Sequence, residues 1–158
     1  MRKIINPWQG ANIYHCFGCD SENPLGLRMQ FVEEGDHIAC YWNPGTHFQG
    51  YVNTLHGGIH ATLHDELASW VVYTKGKTAG MTSKMEIAYL KPVSTNGEAI
   101  KLIGYIKEAD KKSITVHTQL FNQQNELSSQ AIVIYRIFQE ELARKKLYYP
   151  GPEAFFEK

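Results

Sequence analysis

The sequence predicts an α+β domain in which an antiparallel sheet of five to six strands curves around one long central helix. Three observations carry this prediction. Residues 57–75 hold sustained helical spacing, with Ile59, Leu63, Leu67 and Trp70/Val71 recurring every three or four positions. After them the apolar period switches to two, in segments 81–91, 98–108, 113–121 and 127–138. A single helix cannot match the area of that many strands in two flat layers, so the sheet must wrap it.

Taken in order, residues 1–26 are an irregular lead-in punctuated by Gly18, Pro24 and Gly26, with Asn6-Pro7 offering the start of a short helix. Leu27 to Val32 and Ile38 to Trp42 read as strands joined at Glu34-Gly35-Asp36. Asn43 to Asn53 is a loop rich in Gly, Pro and aromatics, and Gly76 stands where a helix stop is expected. In the next strand Met81, Ser83, Met85, Ile87 and Tyr89 alternate with Thr82, Lys84 and Glu86, until Pro92 ends the run. The alternation puts Ser83 on the face directed at the helix. Turns at Asp110-Lys111-Lys112 and Asn122 to Asn125 separate the last three strands. The final one is apolar on both faces, with Ala131, Val133 and Tyr135 against Ile132, Ile134 and Phe138, which places it mid-sheet or leaves its second face to another subunit. The domain proper is expected over 27–138, followed at 139–158 by a short charged helix and an aromatic tail.

Bulk properties exclude several classes of function. At 158 residues the chain fits one domain, able to bury roughly 68 to 70% of the surface its unfolded form exposes. Sixteen basic and sixteen acidic residues balance to zero, which argues against nucleic acid or an anionic membrane as the main partner. Three cysteines and the lack of an apolar N-terminal h-region argue for a reducing, cytoplasmic location. No apolar stretch approaches the ~20 residues that span a bilayer.

The chemistry concentrates in residues 56–65. Gly57 and Gly58 at a helix start offer bare N–H groups to a developing oxyanion, a contribution of about 2.7 to 4 kcal/mol per donor. His56 would orient that loop. Asp65, about 200° around the helix from Leu63, has Ala61, Thr62, Ala68 and Ser69 as its neighbours along the helix. A carboxylate in such a niche suits general-base work with a raised pKa. Both features also have plain readings: Asp65 and Glu66 fit the wet face of an amphipathic helix, and glycine is acceptable at a helix entry. Eight residues of helix rise separate Gly57 from Asp65 by roughly 12 Å, too far to serve one carbonyl. Two composite sites across a two-fold axis resolve the distance, so a homo-oligomer is expected.

Other signals are weaker. His56, His60 and His64 recur every four residues, but Ala61 stands where a zincin requires Glu. Cys16 and Cys19 have ligand spacing without a second pair, leaving His15, His37 or Cys40 to complete a set. No metal site is therefore assigned. Neither a phosphate loop at Gly76-Lys77-Thr78 nor a serine nucleophile elbow fits the context. Trp42, Phe48, Tyr51, Trp70 and Tyr73 could line an acyl tunnel or simply pack.

The run from Asn53 to Glu66, followed by a strand ending Ala88-Tyr89-Leu90-Lys91-Pro92-Val93, resembles the hotdog-fold acyl-CoA thioesterases of the phenylacetate-pathway (PaaI-like) type. The leader, with Cys16, Phe17, Gly18, Cys19, Asn23, Pro24, Gly26 and Leu27, and the Gln49-Gly50 pair are similar to a subgroup of that superfamily. The resemblance implies hydrolysis of an acyl-CoA thioester, with Asp65 activating water or attacking directly and Gly57 of another subunit polarising the carbonyl. It gives His56 a supporting role in that loop and places the Ser83 hydroxyl near the nucleophile; Gly58 and Asn53 are expected to bind substrate. Family members carry an amide six residues before the motif histidine, where this chain has Gly50; Gln49 takes that role, with Asn53 as the weaker substitute. No cofactor is implied beyond the coenzyme A of the substrate, and a dimer or dimer of dimers is expected. The alternative is a non-hydrolytic acyl-CoA or lipid-binding hotdog protein; a metal-dependent hydrolase built on the helix histidines is a further rival.

Overall fold

In the computed structural model, which describes residues 1–157, the chain forms one seven-stranded antiparallel sheet against one long helix. The strands are β1 (Arg2–Lys3), β2 (Phe31–Glu34), β3 (His37–Trp42), β4 (Gly80–Tyr89), β5 (Ile100–Ala109), β6 (Ser113–Phe121) and β7 (Leu127–Ile137). The helices are α1 (Gly57–Thr74) and α2 (Glu140–Leu147). Spatial order in the sheet is β1-β2-β3-β5-β6-β7-β4. The seventh strand beyond the expected five or six is β1, two residues of the lead-in that pair with Val32 and Glu33. The first hairpin begins only at Phe31 rather than at Leu27, although Leu27 and Met29 are buried. Asn6-Pro7 starts turns, not a helix, with the Asn6 side chain accepting from the Trp8 N–H at 3.1 Å.

Helix α1 is roughly 27 Å long and lies across β5, β6 and β7. Leu63, Leu67, Trp70, Val71 and Val72 meet Ile38, Leu102, Val116, Leu120 and Val133 from the sheet in one core. Side chains of this size each contribute about 1.5–3 kcal/mol on burial. The helix ends because the chain must turn under Ile114. At Gly76 a Cβ would lie 2.7 Å from the Val72 carbonyl and 2.6 Å from Ile114 Cδ1. The left-handed residue of that turn is Lys77, at φ 53°, so the glycine expected as a helix stop acts through close approach. β7 sits between β6 and β4, with Ala131, Val133 and Tyr135 buried toward α1.

Both termini close over the carboxyl half of α1. Trp8 from the lead-in and Phe155 from the tail meet Trp70 and Tyr73 in an edge-and-stack cluster, with Trp8–Tyr73 centroids at 5.3 Å and Trp8–Phe155 at 5.4 Å. The Trp8 indole N–H donates to the Tyr148 carbonyl at 2.9 Å, and the Tyr149 hydroxyl to the Tyr73 carbonyl at 2.9 Å. Lead-in and tail therefore share the core of the central segment.

Candidate active site

The start of α1 is held by the loop before it. His56 is the N-cap, in extended backbone, and its Nδ1 accepts the Gly58 N–H at 2.9 Å. The His56 carbonyl takes the N–H groups of Ile59 and His60. Of the four donors a helix start leaves over, the Gly57 N–H has no acceptor among the described residues. The loop is braced from both sides, by His56 N–H on the Phe48 carbonyl (3.0 Å) and Leu55 N–H on the Val93 carbonyl (2.9 Å). Gln49 Oε1 accepts the Asn53 N–H at 3.0 Å, and Asn53, at φ 55°, accepts the Ser94 hydroxyl at 2.9 Å. Gln49 and Asn53 thus shape the loop ahead of His56. The Tyr89 hydroxyl donates to the Gly57 carbonyl at 2.8 Å, tying the end of β4 to the start of α1.

Two turns along α1, Asp65 is held by different groups. Its Oδ1 accepts the Thr82 hydroxyl at 2.7 Å and the Tyr135 phenol at 3.0 Å; the phenol proton is shared with the Asp65 carbonyl at 2.9 Å. Burial first, and then the Asp65 charge, push the Tyr135 phenol well above its ordinary range, so it stays a donor. Asp65 Oδ2 has no hydrogen-bond partner among the described residues. Oδ1 is thus fixed and Oδ2 is available to a reacting group.

The hydroxyl beside Asp65 is Thr82, where Ser83 was expected. The pairing of β4 with β7 slips between Thr82 and Lys84, and this irregularity shifts the strict alternation by one residue. Ser83 instead donates to the Ile134 carbonyl at 3.0 Å. Asp65 opens on a cavity of about 600 Å³ whose walls include Trp8, Tyr14, Tyr73, Met81, Tyr135 and Leu147. Of the five aromatics considered for an acyl tunnel, Tyr73 lines this cavity. Trp42 and Phe48 pack on each other at 5.2 Å, Trp70 is in the core, and Tyr51 is exposed.

The other helix histidines face the sheet. His64 Nδ1 meets the Thr118 hydroxyl at 2.7 Å, its Nε2 meets the Ser129 hydroxyl at 2.8 Å, and His60 Nδ1 meets that same hydroxyl at 2.8 Å. Burial pushes the pKa of His60 down to about 4 and of His64 to about 3, so both rings are neutral in the fold. The residue missed by the sequence reading is Glu66. It is half-buried under the lead-in and accepts the Trp70 indole N–H at 3.0 Å and the Cys16 thiol at 3.6 and 3.7 Å. Burial, then the charge of Cys16, raise its pKa to about 7. His15, His37 and Cys40 do not complete the cysteine pair: His15 approaches Asp20, His37 pairs with Glu34, and Cys40 is buried in β3. Trp70, at i+4 from Glu66, was the only local signal that this carboxylate points inward.

A family model described as the thioesterase superfamily matches residues 52–129. Acyl-coenzyme A thioesterase THEM4 of Rattus norvegicus is 30% identical over 113 residues, covering 62% of this chain and 47% of the rat protein. The chain thus spans about half the length of the curated relative it matches. A hypothetical thioesterase of Streptococcus pneumoniae TIGR4, solved with coenzyme A, is similar at a TM-score of 0.65 and 18% identity, covering 71% of this chain and 87% of that one. The E. coli PaaI protein from the phenylacetic acid degradation operon gives a TM-score of 0.64 at 14% identity, covering 72% and 82%. These structures establish the hotdog fold. Among the described residues, no helix is long and apolar enough to cross a membrane.

Proposed function

We propose that this chain, a hotdog-fold protein of the thioesterase superfamily, hydrolyses an acyl-CoA thioester at sites shared between two copies. One observation carries the reading: β4 links the two halves of the chemistry at its opposite ends. Thr82 near its start holds Asp65, and Tyr89 at its end holds Gly57. β4 is also an edge of the sheet, ten residues long, with Met81 and Tyr89 exposed. An open edge of that length favours pairing with another strand. Two copies joined antiparallel along β4, about a two-fold axis between Met85 and Glu86, set Thr82 of one opposite Tyr89 of the other. Asp65 of one copy then approaches the Gly57 N–H of its twin.

In such a site the Gly57 N–H, at the positive end of α1, donates to the thioester carbonyl oxygen and stabilises its developing negative charge. Asp65 Oδ2 takes a proton from water as the water oxygen attacks the carbonyl carbon, the C–S bond breaks and that proton passes to the leaving sulfur of coenzyme A. Alternatively, Oδ2 attacks the carbon itself, expelling the coenzyme A thiolate, which takes a proton from solvent; water then hydrolyses the mixed anhydride to free the acid and restore Asp65. Thr82 and Tyr135 hold Oδ1 so that Oδ2 keeps its direction. Gln49, Asn53, Gly58 and His56 keep the donor loop in place, and Ser83 steadies β4 against β7. The cavity beside Asp65 receives the acyl group. The reaction proceeds with the chain's own groups and no added cofactor, and a cytoplasmic dimer or dimer of dimers is part of the same proposal.

The test is thiol release over short, medium, long and aryl acyl-CoAs by the parent and Asp65→Asn, with molar mass measured in solution. Turnover by the parent, lost in the variant, is the expected result. Equal rates would overturn the role of Asp65. Saturable acyl-CoA binding without thiol release on any substrate would make this a non-hydrolytic acyl-CoA or lipid-binding hotdog protein. A monomer at working concentration would rule out the shared site.

A further inference from the structure

The lead-in crosses α1 at Glu66, and there it folds two thiols around the carboxylate. Cys16 and Cys19 sit on one tight turn: the Cys19 N–H donates to Cys16 Sγ at 3.2 Å, and the two sulfurs lie 3.0 Å apart. Cys16 Sγ is 3.6 and 3.7 Å from the two Glu66 oxygens, and ligand atoms of all three residues lie within 4.8 Å of one another. The turn fits the carboxylate closely, because a Cβ on Gly18 would fall directly on the Glu66 side chain. Any larger residue at this position would have to push the Glu66 side chain aside.

The cluster is short of positive charge. Among the described residues, none of the ion pairs involves Cys16, Cys19 or Glu66. Glu66 has the Trp70 indole as its one nitrogen donor. Two sulfurs and a carboxylate thus converge with no cationic side chain among them.

We propose that Cys16 Sγ, Cys19 Sγ and the Glu66 carboxylate bind a borderline-soft divalent metal ion, zinc foremost, which clips the lead-in to α1. Zinc bonds sulfur at about 2.3 Å and carboxylate oxygen at about 2.0–2.2 Å, so tetrahedral ligands lie roughly 3.8 Å apart for S···S and 3.5 Å for S···O. The Cys16–Glu66 spacing already matches. The sulfurs need to open by less than about 1 Å, a small rotation of two side chains on one turn. Two thiolates select against calcium and magnesium. The fourth position faces the cavity that Asp65 also lines, where Cys16, Cys19 and Glu66 form part of the wall; a water completes the set there. A Cys16–Cys19 disulfide accounts for the two sulfurs but not for the Glu66 carboxylate that converges on them.

The test uses the full chain, expressed without a metal-affinity tag and purified under reductant without chelator. Elemental analysis should find about one zinc per chain, and release by a mercurial should free metal and thiols together. Cobalt(II) added to metal-stripped protein should give a thiolate-to-cobalt charge-transfer band, absent from Cys16→Ser/Cys19→Ser. Glu66→Gln, which keeps both thiols and the side-chain shape, should retain the band but lose metal to a competing chelator at least tenfold more readily. Reduced parent protein with both thiols intact by mass, yet no zinc and no cobalt band, would overturn the proposal. So would Glu66→Gln holding metal as tightly as the parent. These readouts are independent of thioester hydrolysis, so either proposal can fail while the other stands.

Discussion

Asp65 and Glu66 are consecutive carboxylates on one helix, yet they occupy different surroundings. A step of one residue turns the side chain by about 100°. Asp65 swings toward β4 and β7, where a threonine and a tyrosine hold one oxygen and leave the other facing a cavity. Glu66 swings under the lead-in, where two cysteines and an indole enclose it. Neither is the wet-face residue that helix periodicity alone allows. The contrast teaches that the role of a carboxylate here is set by which distant segment covers it.

The largest test of that contrast exchanges the two charges in turn. Asp65→Asn should lower kcat by about 10²–10⁴, the range for a positioned acid or base, while metal content stays that of the parent. Glu66→Gln should weaken metal retention and spare most turnover. Turnover lost equally in both variants would erase the distinction.

Gly57→Pro asks whether the Asp65 half needs its distant partner. Proline suits the first helical position and follows extended His56 without strain, and a Cβ there meets Tyr89 at an ordinary 3.6 Å. Only the N–H is lost. Thiol-release kinetics should show a fall of about 10²–10³ in kcat, as for one oxyanion donor, with an unchanged Tm.

Gly18→Ala presses on the Glu66 side alone. The added methyl meets the Glu66 carboxylate, and denaturant unfolding should show a loss of about 1–3 kcal/mol, typical of overpacking. Thr82→Val against Ser83→Ala sharpens the Asp65 side. The first removes a donor to a carboxylate, worth about 1.5–3 kcal/mol, and should slow turnover roughly tenfold or more; the second should change it less than twofold.

The smallest effect is a pH dependence of stability in metal-free protein. Glu66 has a folded pKa of about 7 against an ordinary 4.5. Its contribution is therefore fully present below pH 4.5 and is lost as pH rises through 7. His60 and His64 act oppositely: their pKa values fall from 6.5 to about 4 and about 3, so their contribution is present above pH 6.5 and is lost on acidification. The difference in Tm between Glu66→Gln and parent cancels the histidines. It should move in favour of the variant as pH rises from 4.5 to 7. A flat difference would mean that Glu66 is not desolvated.

Much of this was legible in the sequence because burial on one face imposes a period. The 3.6 spacing of Ile59, Leu63 and Leu67 marked α1, and alternation marked β4 to β7 within one or two residues at most ends. What failed was phase and distance. No periodic signal announces the slip at Thr82/Lys84, so Ser83 was assigned the contact that Thr82 makes. Glu66 meets Cys16, 50 residues away, a pairing that only the packing of the lead-in creates. The lead-in and tail looked peripheral because aromatics without a period carry no directional signal; their rings prove to meet over Trp70 and Tyr73.

The hydrogen bonds from His60 and His64 to Ser129 and Thr118 have a mechanical consequence. Leucines and valines alone form a smooth bed on which a helix can slide or roll at little cost, since one apolar contact replaces another. Three polar contacts at fixed points on β6 and β7 act as a detent: a shift of one turn, roughly 5.4 Å, would orphan buried groups at about 1–3 kcal/mol each. Gly57 and Asp65 are thereby pinned at set heights above the sheet, as marks on a ruler that cannot creep.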